Sequence, residues 1–192
     1  MYRSILAGFM ISLGAAAYLL VGGVTGAVLF SLGLLTILYF KLSLFTGQAG
    51  RFIDQEVGIF ELGKIWLGNA VGCWVGACVM EFAGVMEKLQ EGANAIIAAR
   101  VENGILENFA LGVICGVLMY VAVKYYERWP IATIMSVAAF ILMGANHCVA
   151  DMCYALYGWD WSRALAMCVA LLSTTCGNFV GCNLIGGVLK YE

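Results

Sequence analysis

The chain of 192 residues is 63% hydrophobic and only 11% charged, with a mean hydropathy of +0.93 and a formal net charge of −2. Soluble domains are roughly half apolar and a quarter charged, so this composition excludes an ordinary soluble domain and indicates a membrane-embedded protein. Because the chain carries no run of basic residues, nucleic acid is not expected as a partner.

Six apolar segments are predicted to cross a membrane, since a hydrocarbon core about 30 Å thick needs roughly 20 apolar residues in a helix. The predicted spans cover residues 5–21, 24–46, 62–80, 104–123, 131–157 and 162–188. We therefore predict an all-α membrane protein that forms one domain over residues 1–192. A signal peptide is the alternative for the first twenty residues, but further spans rather than a polar domain follow them.

Lysine and arginine in the predicted connections favour one orientation, because cytoplasmic loops are enriched in them. With the N-terminus inside, six of these cations lie on the inner side and three on the outer side. The inner ones are Arg3, Arg51, Lys64, Lys124, Arg128 and Lys190, and the outer ones are Lys88, Arg100 and Arg163. Both termini are therefore predicted to be cytoplasmic.

The pattern G-N-x-V-G-C occurs twice, at residues 68–73 and 177–182, with an offset of 109 residues. A polar interruption precedes each copy by about one span, as LFTG at 44–47 and as NHCVAD at 146–151. These matches predict two halves of three spans each, about 1–90 and 100–192. Since three is odd, the halves form an inverted repeat, with a ligand site expected between them near the midplane. Asn69 and Asn178 need polar partners at this depth, either in interhelical hydrogen bonds or in a pore lining.

The second and fifth spans are each predicted to be broken. Residues Thr46, Gly47, Gln48 and Gly50 continue a helix poorly in lipid, and Gly144 and Asn146 permit a break in the fifth span. Such a break is tolerated only where the backbone is buried in protein or lines a cavity. It is expected to expose unpaired N–H groups and the positive end of a helix dipole, which attract an anion.

His147, the only histidine in the chain, lies within the fifth span. An ionisable side chain inside a membrane is costly and marks a functional candidate. Asp151 is four residues further on, so it shares a face with His147 if the segment is helical. Lys41 is a cation within the second span, and we hypothesise that Lys41 and Asp151 are midplane charges that pair across the repeat interface.

Three motifs in this order give the chain a resemblance to a known family. LFTG (44–47), NHCVADM (146–152) and GNFVGCNL (177–184) together resemble the formate/nitrite transporter family. The resemblance implies an aquaporin-like fold, a homopentamer with one pore per protomer, and a place in the inner or plasma membrane of a prokaryote. It also implies conduction of small monovalent anions or their conjugate weak acids.

The resemblance assigns roles to individual residues. The implied pore and substrate-binding residues are Thr46, Arg100, Asn146, His147 and Asn178, with His147 as the central pore histidine. The implied constriction residues are Phe30, Leu34, Leu44, Phe45, Met119 and Phe140. Four of these six (Phe30, Leu34, Met119 and Phe140) are placed by spacing, and a lipid-facing or core position is the alternative for them. Asn146 and Asp151 stand where many members carry glutamate and asparagine, and Arg100 stands where members carry lysine.

A charged ion in a medium of low dielectric constant costs many kcal/mol, so formate is expected to cross as the weak acid, with proton exchange through His147. Nitrite, hydrosulfide, acetate and lactate stay open, because residue spacing does not reveal pore width. No enzymatic activity, cofactor or metal is predicted. An intramembrane enzyme using His147, Cys148 and Cys153 lacks a second histidine for a metal, and a neutral-solute channel is disfavoured because the Asn-Pro-Ala motifs are missing.

Overall fold

The computed structural model describes residues 1–158 and 160–189, and its regular structure over these residues is helical. The helices are α1 (Tyr2–Val21), α2 (Gly23–Tyr39), α3 (Phe45–Ala49), α4 (Ile59–Phe82), α5 (Met86–Glu102), α6 (Gly104–Lys124), α7 (Pro130–Leu142), α8 (Cys148–Tyr157) and α9 (Ala164–Leu189). A short 3-10 helix, Trp161–Arg163, precedes α9.

Four of the described helices are long and apolar enough to cross a bilayer, namely α1, α4, α6 and α9. Helices α2, α7 and α8 are apolar but shorter. Large apolar side chains such as Leu32, Leu106 and Leu165 are exposed, as expected of a surface that faces lipid. The number of crossings and their orientation stay predictions, and Lys190, counted above for the inner side, lies outside the described residues.

Two helix pairs, α1 with α4 and α6 with α9, pack at backbone distance. A Cβ added to Gly181 of α9 would overlap the Val113 carbonyl of α6, and one added to Gly72 of α4 would overlap the Ile5 carbonyl of α1. Small residues are the usual means by which membrane helices approach each other closely. The glycines of the duplicated motif therefore hold α4 and α9 against their partners.

The chain leaves the α2 helix earlier than the sequence suggests. Helix α2 ends at Tyr39, Lys41 adopts a positive φ of 53°, and α3 begins at Phe45. The prediction of a break over Thr46–Gly50 was wrong in position, because Thr46 lies in the first turn of α3. In the second half, α7 ends at Leu142, Gly144 has a φ of 69°, and α8 begins at Cys148.

Helix α5 was not predicted, since its residues were assigned to a connection between spans. Leu89, Ala93 and Ile97 recur every four residues along it and are buried. This spacing places them on one face of a helix, which packs against the bundle. Arg100, in the last turn of α5, is consequently 9% exposed rather than free in a loop.

Candidate functional site

The fold brings together His147 and Thr46, two side chains that are 101 positions apart. His147 is the N-cap of α8, and Thr46 lies in the first turn of α3. The Nε2 atom of His147 and the Oγ1 atom of Thr46 are 2.9 Å apart, within hydrogen-bonding distance. The two residues are 2% and 1% exposed, so this hydrogen bond lies deep in the protein, where the starts of α3 and α8 meet.

The second ring nitrogen of His147 defines the tautomer. Nδ1 accepts a hydrogen bond from the Ala150 amide at 3.2 Å, so it carries no proton in this arrangement. A neutral imidazole then has its proton on Nε2, and that N–H donates to the Thr46 hydroxyl. The geometry therefore selects the neutral Nε2–H form, and protonation of Nδ1 requires the ring to release the N-terminus of α8.

Asn69 and Asn178, the asparagines of the duplicated motif, make equivalent sets of three hydrogen bonds. The Nδ2 of Asn69 donates to the carbonyls of Ser4 and Ser43, and its Oδ1 accepts from the Phe45 amide at 2.8 Å. Each asparagine therefore ties the start of one short helix to a neighbouring long helix.

The corresponding bonds of Asn178 involve the second half of the chain. Its Nδ2 donates to the carbonyls of Gly112 and Asn146, and its Oδ1 accepts from the Cys148 amide at 2.8 Å. Because backbone groups occupy its amide, the structure gives Asn178 a positioning role. Its implied role in substrate binding stays a prediction.

These bonds change one expectation about the broken helices. The amides of Phe45, Cys148 and Ala150 were expected to be free for an anion, but side chains of the protein accept their hydrogen bonds. The expectation was wrong for these three groups. These three amides are therefore not available to bind an anion, whereas the positive end of the α8 dipole remains.

An aromatic stack covers the histidine on one side. The rings of Phe140 and His147 are stacked with their centroids 5.7 Å apart, and Phe30 meets Phe140 edge-on at 6.0 Å. All six implied constriction residues are at most 5% exposed: Phe30, Leu34, Leu44, Phe45, Met119 and Phe140. The lipid-facing alternative for the four residues placed by spacing is thus excluded, and their constriction role stays a prediction.

Two cavities approach the hydrogen-bonded pair, one at each partner. His147 lines a cavity of about 270 Å³ together with Phe140, Arg100, Asp151 and Ala150, hereafter the His147 cavity. Thr46 lines a second cavity of about 250 Å³, hereafter the Thr46 cavity. The bond between His147 and Thr46 therefore joins the linings of two separate spaces.

The Thr46 cavity adjoins a wider one of about 520 Å³, with which it shares Gly47, Arg51, Val123 and Lys124. The cations that line the wider cavity are Arg3, Lys41, Arg51 and Lys124. Three of these belong to the side predicted to be cytoplasmic, and the fourth is the unassigned Lys41.

Asp151 pairs with Arg100, and the hypothesis that it pairs with Lys41 was wrong. The Nε of Arg100 lies 3.2 Å from Oδ1 of Asp151, and its Nη1 donates to the Gly144 carbonyl at 3.4 Å. Lys41 is exposed and lines the wide cavity rather than the midplane. The hypothesis failed because α5, which carries Arg100 to α8, was not anticipated.

Asn146 belongs to a buried polar network that sequence analysis did not find. Its Nδ2 donates to Oδ1 of Asn108 at 2.8 Å and to Oγ1 of Thr174 at 3.3 Å. The Nδ2 of Asn108 in turn donates to the Arg100 carbonyl at 2.7 Å. Asn108 and Thr174 lie in apolar spans, and their polarity at that depth was the signal that could have found them.

This arrangement defines a class of protein: a multi-pass helical membrane protein in which a buried polar centre lies between two cavities, as in channels and transporters. Among the described residues, no three His, Cys, Asp or Glu side chains are grouped so that they could hold a metal ion. The family model described as "Formate/nitrite transporter" matches residues 1–191. The chain therefore belongs to the formate/nitrite transporter family.

Similar proteins of known structure have the same fold. A pentameric formate channel with formate bound superposes with a TM-score of 0.81 at 22% identity, covering 99% of this chain and 94% of that one. An ion channel of the FNT family gives a TM-score of 0.81 at 21% identity, with coverages of 98% and 87%. At these identities the likeness concerns the fold.

A curated relative is the formate channel FocA of Haemophilus influenzae, which is 27% identical over 144 residues. The match covers 66% of this chain and 51% of that protein. The alignment thus spans about half the length of this curated relative.

Proposed function

We propose that this protein conducts small monovalent anions across the membrane together with a proton, so that they cross as neutral weak acids, with formate as the first candidate. The proposed path runs from the His147 cavity, past the hydrogen bond between His147 and Thr46, to the Thr46 cavity. The observation that carries the proposal is this buried bond between two cavities, with Phe140 stacked on His147 and Leu44 and Phe45 next to Thr46 in the chain.

The physical reason for a proton is the cost of burying charge. A bare carboxylate in a medium of low dielectric constant costs many kcal/mol, whereas a neutral acid needs only its hydrogen bonds replaced. The Nε2–H of His147 and the hydroxyl of Thr46 offer two donors at one point in the path. A carboxylic acid that takes the place of their mutual bond keeps both groups paired.

The prediction that His147 itself exchanges the proton has a structural condition. Its Nδ1 must leave the Ala150 amide before it accepts a proton. His147→Asn separates the two roles of the ring, because asparagine is a good N-cap for α8 but its side chain is too short to reach Thr46. His147→Phe removes both the cap and the donor.

The experiment is uptake by proteoliposomes at a series of external pH values, with formate, nitrite, hydrosulfide, acetate and lactate compared at equal concentration. Uptake of formate is expected to rise as the external pH falls, and His147→Phe is expected to abolish it. His147→Asn is expected to keep the α8 cap, to lose about 1–3 kcal/mol of unfolding free energy with the bond to Thr46, and to lose uptake at least tenfold. If folded His147→Phe transports formate with unchanged pH dependence, the role of His147 is wrong.

We further propose a homopentamer with one path per protomer, in a prokaryotic inner or plasma membrane with both termini cytoplasmic. The pentameric state of the similar formate channel supports the first point, and the distribution of cations in the connections supports the orientation. Native mass spectrometry of the purified protein is expected to give five copies per particle. A cysteine added at the N-terminus and labelled from one side of the membrane checks the orientation.

A further inference from the structure

The ion pair of Arg100 and Asp151 lies beside the central histidine. Both residues line the His147 cavity, and their side chains are only 11% and 1% exposed. The pair uses one carboxylate oxygen, Oδ1, and one guanidinium nitrogen, Nε. A charged pair at this depth is expensive and needs its remaining polar atoms to be satisfied.

Two buried acceptors in this region have no hydrogen-bond partner. Within the described residues, Oδ2 of Asp151 and Oδ1 of Asn146 are buried and have no hydrogen-bond partner. Thr174 accepts a bond from Asn146, and its hydroxyl has one hydrogen to give to a neighbour. A proton on the Asp151 carboxyl group makes it a hydrogen-bond donor and removes the cost of a buried, charged, unpaired acceptor.

Arg100 carries the positive charge in this environment. In the described part of the chain, the ionisable groups that face Asp151 or the cavity beside it are Tyr18 of α1, Arg100 of α5, Cys115 of α6, and His147, Cys148, Cys153 and Tyr154 of α8, with Cys73 of α4 next to Cys153. With His147 neutral, the charges of Arg100 and Asp151 balance each other in the cavity. While Asp151 is ionised, its charge cancels the attraction of Arg100 for an anion.

His147 is poorly placed to supply the proton from its ground state. Its Nδ1 accepts the Ala150 amide, and its Nε2 proton is the single proton of a neutral ring. A neutral imidazole does not give up that proton at ordinary pH. Asp151, one turn from the histidine on α8, is a second acid that lines the same cavity.

We propose, on the basis of the function proposed above, that Asp151 is the proton donor to the transported anion and that its pairing with Arg100 couples the anion to the proton. A proton from the solution first binds the Asp151 carboxylate and frees the Arg100 guanidinium. The guanidinium then binds the anion. The O–H bond of Asp151 breaks, an O–H bond forms on the anion, and the neutral acid moves on to His147 and Thr46. Asp151, again a carboxylate, pairs once more with Arg100.

The experiment compares wild-type protein with Asp151→Asn and Asp151→Glu in proteoliposomes, with the voltage clamped by potassium and valinomycin. Uptake of labelled formate and the internal pH are measured together. Asp160→Asn is the matched control, because Asp160 also pairs with an arginine, Arg163, but in an exposed position.

For wild type and the control, uptake is expected to rise as external pH falls, approaching tenfold per pH unit while one proton enters with each formate, and the interior acidifies. Asp151→Asn keeps Arg100 free to bind formate but has no proton to give. Its uptake at low pH is expected to fall at least tenfold, with a flat pH dependence. Asp151→Glu is expected to restore the slope at a reduced rate.

A folded Asp151→Asn variant with the wild-type slope and acidification would overturn the role of Asp151 and leave the proposed function intact. Wild-type protein without any weak-acid uptake would instead overturn the proposed function. If Asp151→Asn does not fold, infrared spectroscopy of wild type and Asp151→Glu decides. A protonated-carboxyl band that appears as the pH falls, shifts in Asp151→Glu and responds to formate is expected, and a wild-type spectrum without one refutes the proposal.

Discussion

Replacing either motif asparagine by alanine is expected to destabilise the protein, and Asn178→Ala is expected to do so more than Asn69→Ala. In Asn178→Ala, the Asn146 carbonyl and the Cys148 amide lose their side-chain partner in a buried place. The Gly112 carbonyl loses a bond as well, but it lies inside α6, where a helical amide is its partner. Two buried backbone groups thus become unpaired.

Leaving a buried polar group unpaired costs about 1–3 kcal/mol, so the two groups give a loss of about 2–6 kcal/mol in the free energy of unfolding. Asn69→Ala leaves the buried Phe45 amide unpaired, but the Ser43 carbonyl is only partly buried and water can replace its bond, so a smaller loss of about 1–3 kcal/mol is expected. The larger loss in Asn178→Ala is the sharper part of the prediction, since it depends on how deeply each pair of backbone groups is buried.

The assay is equilibrium unfolding in mixed micelles of mild detergent and dodecyl sulfate, followed by tryptophan fluorescence. Asn94→Ala, on the exposed side of α5, is the control and is expected to change the free energy of unfolding by less than about 0.5 kcal/mol. If Asn178→Ala were as mild as the control, the hydrogen bonds of Asn178 would not stabilise the start of α8. The positioning role given to the motif asparagines would then be refuted.

Three further perturbations follow from the packing and the charges. Thr46→Val is expected to lower formate uptake and to cost about 1–3 kcal/mol in the free energy of unfolding, because the His147 Nε2–H loses its partner. Thr46→Ser keeps the hydroxyl and is expected to keep both uptake and stability. Uptake and equilibrium unfolding are measured on the same preparations. Gly181→Ala forces α6 and α9 apart and is expected to lower the unfolding temperature markedly, whereas Gly63→Ala, which meets open space, is expected to have no destabilising effect. Arg100→Gln leaves Asp151 as a buried unpaired carboxylate, at a cost of about 3–5 kcal/mol in equilibrium unfolding, and adding Asp151→Asn is expected to recover most of that loss.

The long helices and the polar centre were accessible from sequence because a bilayer imposes simple rules on both. Hydrocarbon thickness sets the length of an apolar span, and the cost of an ionisable group in lipid singles out His147. The positions of α1, α4, α6 and α9 accordingly follow the predicted spans closely. The duplicated motif also indicated which asparagines need partners, although it could not show that backbone groups would be those partners.

The errors have physical causes of their own. The break after α2 occurs at Lys41, a residue with no intrinsic preference for a positive φ, so its position was not readable from composition. Helix α5 is too polar for a hydropathy criterion, although the spacing of Leu89, Ala93 and Ile97 contained the signal. Missing α5 led directly to the wrong partner for Asp151, because depth along a span does not reveal which side chain approaches from another helix.

In the proposed function, the buried ion pair of Arg100 and Asp151 limits which anions are carried. An anion that reaches the His147 cavity finds the amides of Cys148 and Ala150 already bonded and the charge of Arg100 balanced by Asp151. On the proposed mechanism, protonation of Asp151 changes that balance and frees the charge of Arg100 for the anion. The anion of a strong acid, such as chloride, gains no proton there and faces the full cost of crossing as an ion. Selection by acid strength as well as by size is the expected consequence.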